Sequence, residues 1–273
     1  MDRGSGLSVD LEGLFQVMAP LVTGAPLEDE AVGTTYRRLM SMLMTFDYVV
    51  VFAYRGKERP IDLYSTFNAK DHVLFVSLYQ AGPYLLDPFY HAASQGKPGV
   101  WRMRELAPDR FFSSEYYRTY YVQTGLAEEV GFFVPLDEQI TVVLSLMRRE
   151  ATGTFSAAEF ALLKKVEPLV SGLVRHHWAG LGRRFDAALA KTGRSRRKAT
   201  HPPADGVWQH LNLTERESSI IELVLQGHSS ESIGLRLGIS TGTVKVHRRN
   251  VYRKLGISSQ TQLLSLYLRN LGQ

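Results

Sequence analysis

The sequence predicts an α+β chain in two parts: an α/β/α sandwich built on an antiparallel sheet, followed by a small all-α domain. Three observations carry this reading. Five β-branched or aromatic runs lie between residues 47 and 149, most of them joined by short turns. Segments with helical apolar spacing flank those runs. From Trp208 onward only short helices with clear start and stop signals follow. At 273 residues there is room for two cores, and 44% hydrophobic with 22% charged residues is an ordinary globular balance.

The elements follow in order. LEDEAVGTTYRRLMSML (27–43) has helical spacing, with acids in the first turn where the helix dipole favours them. DYVVVFAYR (47–55) reads as a buried strand, RGKERP as a turn, and IDLYSTF (61–67) alternates like a strand. Residues 71–80 and 84–95 are helical in pattern and are broken by Gly82-Pro83. GVWRM (99–103) is a short strand and SEYYRTYYVQTG (114–125) a helix. VGFFVPL (130–136) and ITVVLSLMRR (140–149) form a strand pair turning at residues 137–139. Ser156 and Glu159 then make a capping box, with Phe155 and Phe160 as its hydrophobic staple. That helix runs towards Trp178 with a kink at Pro168 and stops near Gly180 and Gly182.

The expected division is a first domain over 1–182, a basic flexible linker over 183–206, and a C-terminal domain over 207–273. Charge follows the same boundaries. Residues 1–180 hold 17 basic and 21 acidic side chains, residues 181–206 hold 7 and 2, and residues 207–273 hold 8 and 4. A basic tail behind a mildly acidic body suits a chain whose C-terminal part meets a polyanion, although a solvated charged surface has the same composition. The absence of cysteine excludes disulfides and thiol chemistry. With no signal-peptide or membrane-spanning run in the sequence, a cytoplasmic location without membrane contact is expected.

The C-terminal segment has the sharpest punctuation. Thr214 with Glu217 opens a helix that Gly227 ends. A second helix begins at Ser229/Ser230 and stops at Gly238, a third runs from Ser240 to Gly256, and a fourth is capped by Ser259 with Gln262. Two short helices around LGIST have the form of a helix-turn-helix. At 100° per residue, Val244, Val251 and Leu255 share one face of the third helix, with Lys245, Val246, Arg249 and Arg253 opposite and Asn250 at the margin. Lys and Arg there reach guanine edges or phosphates, and Val offers an apolar contact to a thymine methyl. Arg248 lies nearer the buried edge, where it reaches a phosphate, and Thr243 is counted with the same interface. An amphipathic helix with a solvated basic face has the same spacing.

LTERE, ISTGTVKVH and RKLGI together resemble the LuxR-type (GerE-like) DNA-binding domain of bacterial regulators, over about residues 208–271. The resemblance implies double-stranded DNA as partner and Lys245, Val246 and Arg249 as base readers. It also implies Arg216 and Glu217 as supports of the domain, and a fourth helix that dimerises through Leu263, Leu264, Tyr267 and Leu271. A homodimer on an inverted repeat follows, with RNA polymerase as a further candidate partner.

The first domain then supplies the input. It has neither the clustered acids of a phosphoacceptor domain nor a phosphate-binding Gly-rich loop. Without a Cys nucleophile or metal-ligand spacing among its scattered histidines, the chain is not expected to be an enzyme, to hold a metal or to carry a cofactor. YLLDPFYHAASQGKPGVW (84–101) places Asp87 among Tyr84, Phe89, Tyr90 and Trp101. With TGLAEEVGFFVPL and TVVLSLMRR it resembles the autoinducer-binding domain of quorum-sensing LuxR-family regulators. That likeness implies Asp87 as acceptor for a ligand amide and Trp101 as a pocket wall. Tyr79, Tyr84, Phe89, Tyr90 and Phe111 are counted as further candidate ligand contacts. The family's upstream Trp is missing, and only Tyr79 and Tyr84 stand in that region. A carboxylate ringed by aromatics equally suits an amine through cation–π contact. Asp87 before Pro88 is also a standard helix cap. A small-molecule effector bearing an amide or amine is the first expectation, and control by a protein partner is the alternative.

Overall fold

The computed structural model describes residues 11–22, 27–136, 139–195, 208 and 211–271. Five strands, β1 (Tyr48–Arg55), β2 (Ile61–Ser65), β3 (Gly99–Arg102), β4 (Leu126–Pro135) and β5 (Ile140–Arg149), form one sheet in the order β2-β1-β5-β4-β3. Every neighbouring pair is antiparallel. The five strands are those the sequence predicts. β4 begins at Leu126, earlier than its apolar run suggests, because Glu128 and Glu129 are buried within the strand. Residues 137–138 of the expected β4–β5 turn lie outside the described residues.

The helices of this part are α1 (Leu11–Val22), α2 (Asp29–Ser41), α3 (Ala69–His72), α4 (Pro88–Ser94), α5 (Met103–Leu106), α6 (Val122–Thr124), α7 (Ala157–His177) and α8 (Leu181–Ser195). The sequence pattern predicts no element at α1. Side-chain alternation along the strands gives the sheet two buried faces. Val49, Val51, Val130, Phe132, Leu144 and Leu146 belong to the core shared with α2 and α7. Val50, Phe52, Tyr54, Phe133, Val143 and Met147 belong to the opposite core, shared with α4.

The predicted capping box of α7 forms: the Glu159 N–H donates to Ser156 Oγ at 3.2 Å, and the Ser156 N–H to Glu159 at 2.7 Å. Beside it, Arg102 of β3 meets Glu128 of β4 at 2.5 Å and donates to the carbonyls of Phe155 and Ser156 at 3.0 and 3.1 Å. This buried pair ties the sheet edge to the start of α7.

α8 corrects the expected linker. Residues 183–195 are helical, because Leu181 and Phe185 are buried and Arg184 pairs with Asp29 at 2.7 Å. The remaining linker residues, 196–206, lie outside the described residues. The second part contains α9 (Glu215–Leu225), α10 (Ser230–Leu237), α11 (Thr241–Leu255) and α12 (Gln260–Leu271), the four helices expected.

The two parts dock. The Arg110 N–H donates to the Gly227 carbonyl at 2.9 Å, the Ser229 N–H to Asp109 Oδ1 at 3.0 Å, and the Thr261 hydroxyl to Glu115 at 3.0 Å. Gly227 has φ +94°, and a Cβ there would stand 2.6 Å from the Phe111 Cα, so only glycine permits this approach of two backbones. One apolar cluster runs from Phe52 and Phe89 through Tyr84 and Tyr90 to Trp208 and Tyr267.

Candidate functional site

Asp87 is positioned by α4, whose first turn it caps. One oxygen accepts from the Phe89 N–H at 2.8 Å, and Pro88 occupies the first helical position. The other oxygen accepts from the Tyr79 hydroxyl at 2.8 Å, and Tyr79 meets the Tyr54 hydroxyl at 2.9 Å. The capping reading of Asp87 is thus realised through one oxygen, while the other is engaged by Tyr79.

These groups border an inner chamber of about 30 Å³ between the sheet and α4, room for roughly one water-sized group. From β4, Glu129 enters the same chamber and accepts a hydrogen bond from the Tyr121 hydroxyl at 3.3 Å, with Ser145 also lining the space. Phe52, Phe75, Phe89, Leu126 and Met147 supply apolar walls, and among the described residues no Lys, Arg or His lines the chamber. Tyr121, Leu126 and Glu129 also bound an outer chamber of about 290 Å³ beside Met103, Phe112 and Tyr117. Wide π-helical turns at Val73–Leu78 and Tyr117–Tyr121 carry Phe75 and Tyr121, a helix variant frequent at functional sites. Gly131 lets the Phe89 ring lie on β4, since a Cβ there would stand 2.8 Å from that ring.

Burial raises the Asp87 carboxyl above the ordinary carboxylate range, opposed by the Phe89 N–H and the Tyr79 hydroxyl. Glu129 is raised as well, first by burial and then by the charge on Asp87, with Ser145 and Tyr121 opposing. Burial and the Asp87 charge also raise Tyr79, which keeps it a phenol and a donor.

In the helical domain the Thr214 cap holds Glu217, which also receives Lys254 at 2.7 Å. Arg216 donates to the Leu237 carbonyl at 2.7 Å, closing α9 onto the end of α10. Ser240 caps α11 by accepting from the Thr243 N–H at 3.0 Å. Val244 and Val251 are buried beneath that helix, while Lys245, Val246, Arg249 and Arg253 are exposed. Arg248 donates to the Ser230 hydroxyl at 3.1 Å, and Arg253 to Asn250 at 3.0 Å. Lys245 and Arg248 border a polar cleft of about 400 Å³ that Arg110 and Ser113 close from the other domain.

The family model described as "Bacterial regulatory proteins, luxR family" matches residues 211–267. A putative HTH-type transcriptional regulator of Aeromonas salmonicida is 37% identical over 186 residues, which is 68% of this chain and 94% of that protein. The chain belongs to the luxR family of bacterial regulatory proteins. The luxR-family relatives are transcriptional regulators rather than enzymes. Among solved structures, the VqsR LBD domain of Pseudomonas aeruginosa is 25% identical with a TM-score of 0.49, covering 61% of this chain and 94% of that one. SdiA of Escherichia coli is 20% identical with a TM-score of 0.41, covering 96% and 98%.

In this luxR-family chain Tyr79 and Phe89 line the inner chamber with Asp87, while four other candidate contacts lie outside its lining. Tyr84 and Tyr90 donate to the carbonyls of Lys57 and Gly56 at 3.4 and 3.1 Å. The Trp101 indole, on the sheet-edge strand β3, donates to the Pro98 carbonyl at 2.8 Å, with the Lys97 ammonium 3.8 Å from its ring centre. Phe111 is buried at the junction of the two parts. Tyr54, Tyr121, Ser145 and Glu129 line the chamber without having been expected. The signal for Glu129 was present: it stands two and four residues before Gly131 and Phe133 in one strand, so all three share a face.

The fourth helix also needs a correction. Leu263, Leu264 and Tyr267 are buried, and Tyr267 stacks on Trp208 with ring centres 5.6 Å apart. They fill the core of the single chain and are not open for pairing in this arrangement. The side chain of Leu271 lies outside the described residues.

Proposed function

We propose that this regulator reads double-stranded DNA as a homodimer through α11 and is controlled by a small molecule held at Asp87. The observation that carries the DNA reading is the division of α11 into a buried Val244/Val251 side and an exposed side bearing Lys245, Val246 and Arg249. Val246 is 50% exposed, an apolar side chain left in water where a thymine methyl would cover it. Arg248 and Arg253 flank this strip and suit phosphates, while Thr243 and Asn250 sit at its margins. In a homodimer two such helices meet half-sites about one helical turn, ~34 Å, apart. Pairing through Leu263, Leu264 and Tyr267 requires α12 to leave its present packing.

The control reading rests on the Asp87 chamber, where a desolvated carboxylate faces hydroxyls and rings. Control by a protein partner is favoured by the small inner volume, about 30 Å³. The adjoining chamber of about 290 Å³ favours a small molecule with an extended tail.

Operator fragments selected from random DNA with the full-length protein test the first part. Lys245→Ala or Arg249→Ala is expected to lose about 1–3 kcal/mol of binding, with relaxed preference at the base each one meets. Unchanged affinity and footprint in both variants would remove α11 as the reading helix. Native mass spectrometry of the purified chain tests the second part, and an adduct retained by wild type but lost in Asp87→Asn supports it.

A further inference from the structure

We propose that Glu129 is a second ligand anchor facing Asp87, and that the two carboxylates together select a ligand with a protonated amine head. This deepens the small-molecule reading above and depends on it.

The argument begins with the contrast between two neighbouring acids on β4. Glu128 and Glu129 are both buried, and they point to opposite sides of the sheet. Glu128 is neutralised in the ordinary way, by the Arg102 guanidinium at 2.5 Å. Among the described residues, Glu129 meets the Tyr121 hydroxyl at 3.3 Å, with Ser145 lining the same space, and no cation is paired with it. Buried acids without a cation are uncommon, because desolvation penalises the charged form. Here two line one small chamber, and among the described residues no basic side chain lines it.

The chamber's other features point to the same chemistry. Phe52, Phe75, Phe89 and Tyr121 provide ring faces that attract a cation strongly when water is excluded. The inner volume of about 30 Å³ admits an ammonium-sized group and excludes a ring. A neutral amide carries no charge to set against the two acids. An ammonium has three donors and one positive charge, enough to engage both acids and a hydroxyl. The outer chamber has Met103, Phe112, Tyr117 and Leu126 along it for the rest of the ligand, with Arg104, Glu128 and Thr154 as its polar side. The Tyr121–Glu129 hydrogen bond, long at 3.3 Å, lies in the wall between the two spaces. An amine that takes over Glu129 replaces that contact and joins them.

The test uses the full-length protein and two probes of equal chain length, n-octylamine and octanamide, titrated calorimetrically at neutral pH. Octylamine is expected to bind wild type roughly tenfold or more tightly than octanamide, the scale of a desolvated cation–π contact. Glu129→Gln, which keeps the shape and removes one of the two acids, is expected to reduce that preference severalfold, and an unchanged preference overturns the role of Glu129. Octanamide binding wild type as tightly as octylamine overturns the role of Glu129 and leaves the small-molecule reading standing. This comparison within wild type does not depend on how any variant folds. If neither probe binds at millimolar concentration, the chamber is not a ligand site and both readings fall.

Discussion

Replacing Asp87 with Ala removes two hydrogen bonds at once, whereas Asn can keep both. In the Ala variant the Phe89 N–H loses its cap, at a cost of about 1 kcal/mol. The buried Tyr79 hydroxyl loses its carboxylate acceptor, at a further cost of about 1–3 kcal/mol. Tyr79 can turn its proton towards Tyr54, 2.9 Å away, which keeps the second cost near its lower bound. The sum is about 2–3 kcal/mol. In the Asn variant the amide oxygen caps Phe89 and the amide nitrogen donates to Tyr79, whose own proton then passes to Tyr54. That reversal removes a desolvated charge and should cost about 1 kcal/mol or less. Urea denaturation of the unliganded full-length protein separates the cases. Equal destabilisation by Asn and Ala would show that the charge, and not the hydrogen-bond pattern, holds this corner, and would refute the argument. Asn that folds like wild type is then the correct variant for ligand studies, because Ala confounds recognition with capping.

Three further perturbations probe the frame around the site. Arg102→Met leaves the buried Glu128 carboxylate with Arg104 at 3.7 Å and the Phe155 N–H, and should cost about 3 kcal/mol in denaturant unfolding. A loss below about 1 kcal/mol would mean that the pair contributes little. Gly227→Ala places a methyl 2.6 Å from the Phe111 Cα and an L-residue at φ +94°, a strain of about 1–3 kcal/mol that opening the junction relieves in part. Hydrogen exchange should accelerate at the Arg110 and Ser229 amides, and unchanged protection there would contradict the docking. Burial lowers His91 to about 4, with His228 and Arg236 adding to the shift, and burial likewise lowers His228 to about 4, with Arg236 adding and Asp109 opposing. Because the folded values lie below the ordinary ~6.5 of a free histidine, stability is complete above that pH and declines as pH falls towards 4. Denaturation midpoints from pH 7.5 to 4.5 should show this slope, and His91→Gln should reduce it.

The elements were legible wherever a local signal existed. Capping boxes at Ser156 and Thr214, and glycines after α10 and α11, set boundaries that the structure reproduces within a residue or two. The strands were legible because both sheet faces are buried, which makes the runs continuous in apolar residues. α8 was misread because its basic residues resemble a linker, while Leu181 and Phe185, which fix it, are only two residues among many polar ones. The chamber was legible only around Asp87. The family likeness suggested Trp101 and sequence proximity Tyr84 as neighbours, but chamber walls assemble across strands. Glu129, opposite Met147 in the β4–β5 register, and Ser145, opposite Gly131, arrive from positions far along the chain. The burial of Leu263, Leu264 and Tyr267 could not be read from α12, because an apolar stripe looks the same whether it meets a second chain or its own.

The apolar cluster that joins Phe89 to Trp208 and Tyr267 has a consequence for how a signal becomes a response. Parts that share one core tend to unfold in one cooperative step, so neither keeps its stability when the other opens. Any occupant of the chamber therefore protects the DNA-reading helices as well as the sheet. At a hundredfold excess over its Kd such an occupant adds about 2.7 kcal/mol to the folded state and lowers the unfolded fraction about a hundredfold. Cellular proteases act on that fraction, so occupancy at Asp87 raises the number of regulator copies that survive, before any change of shape is considered.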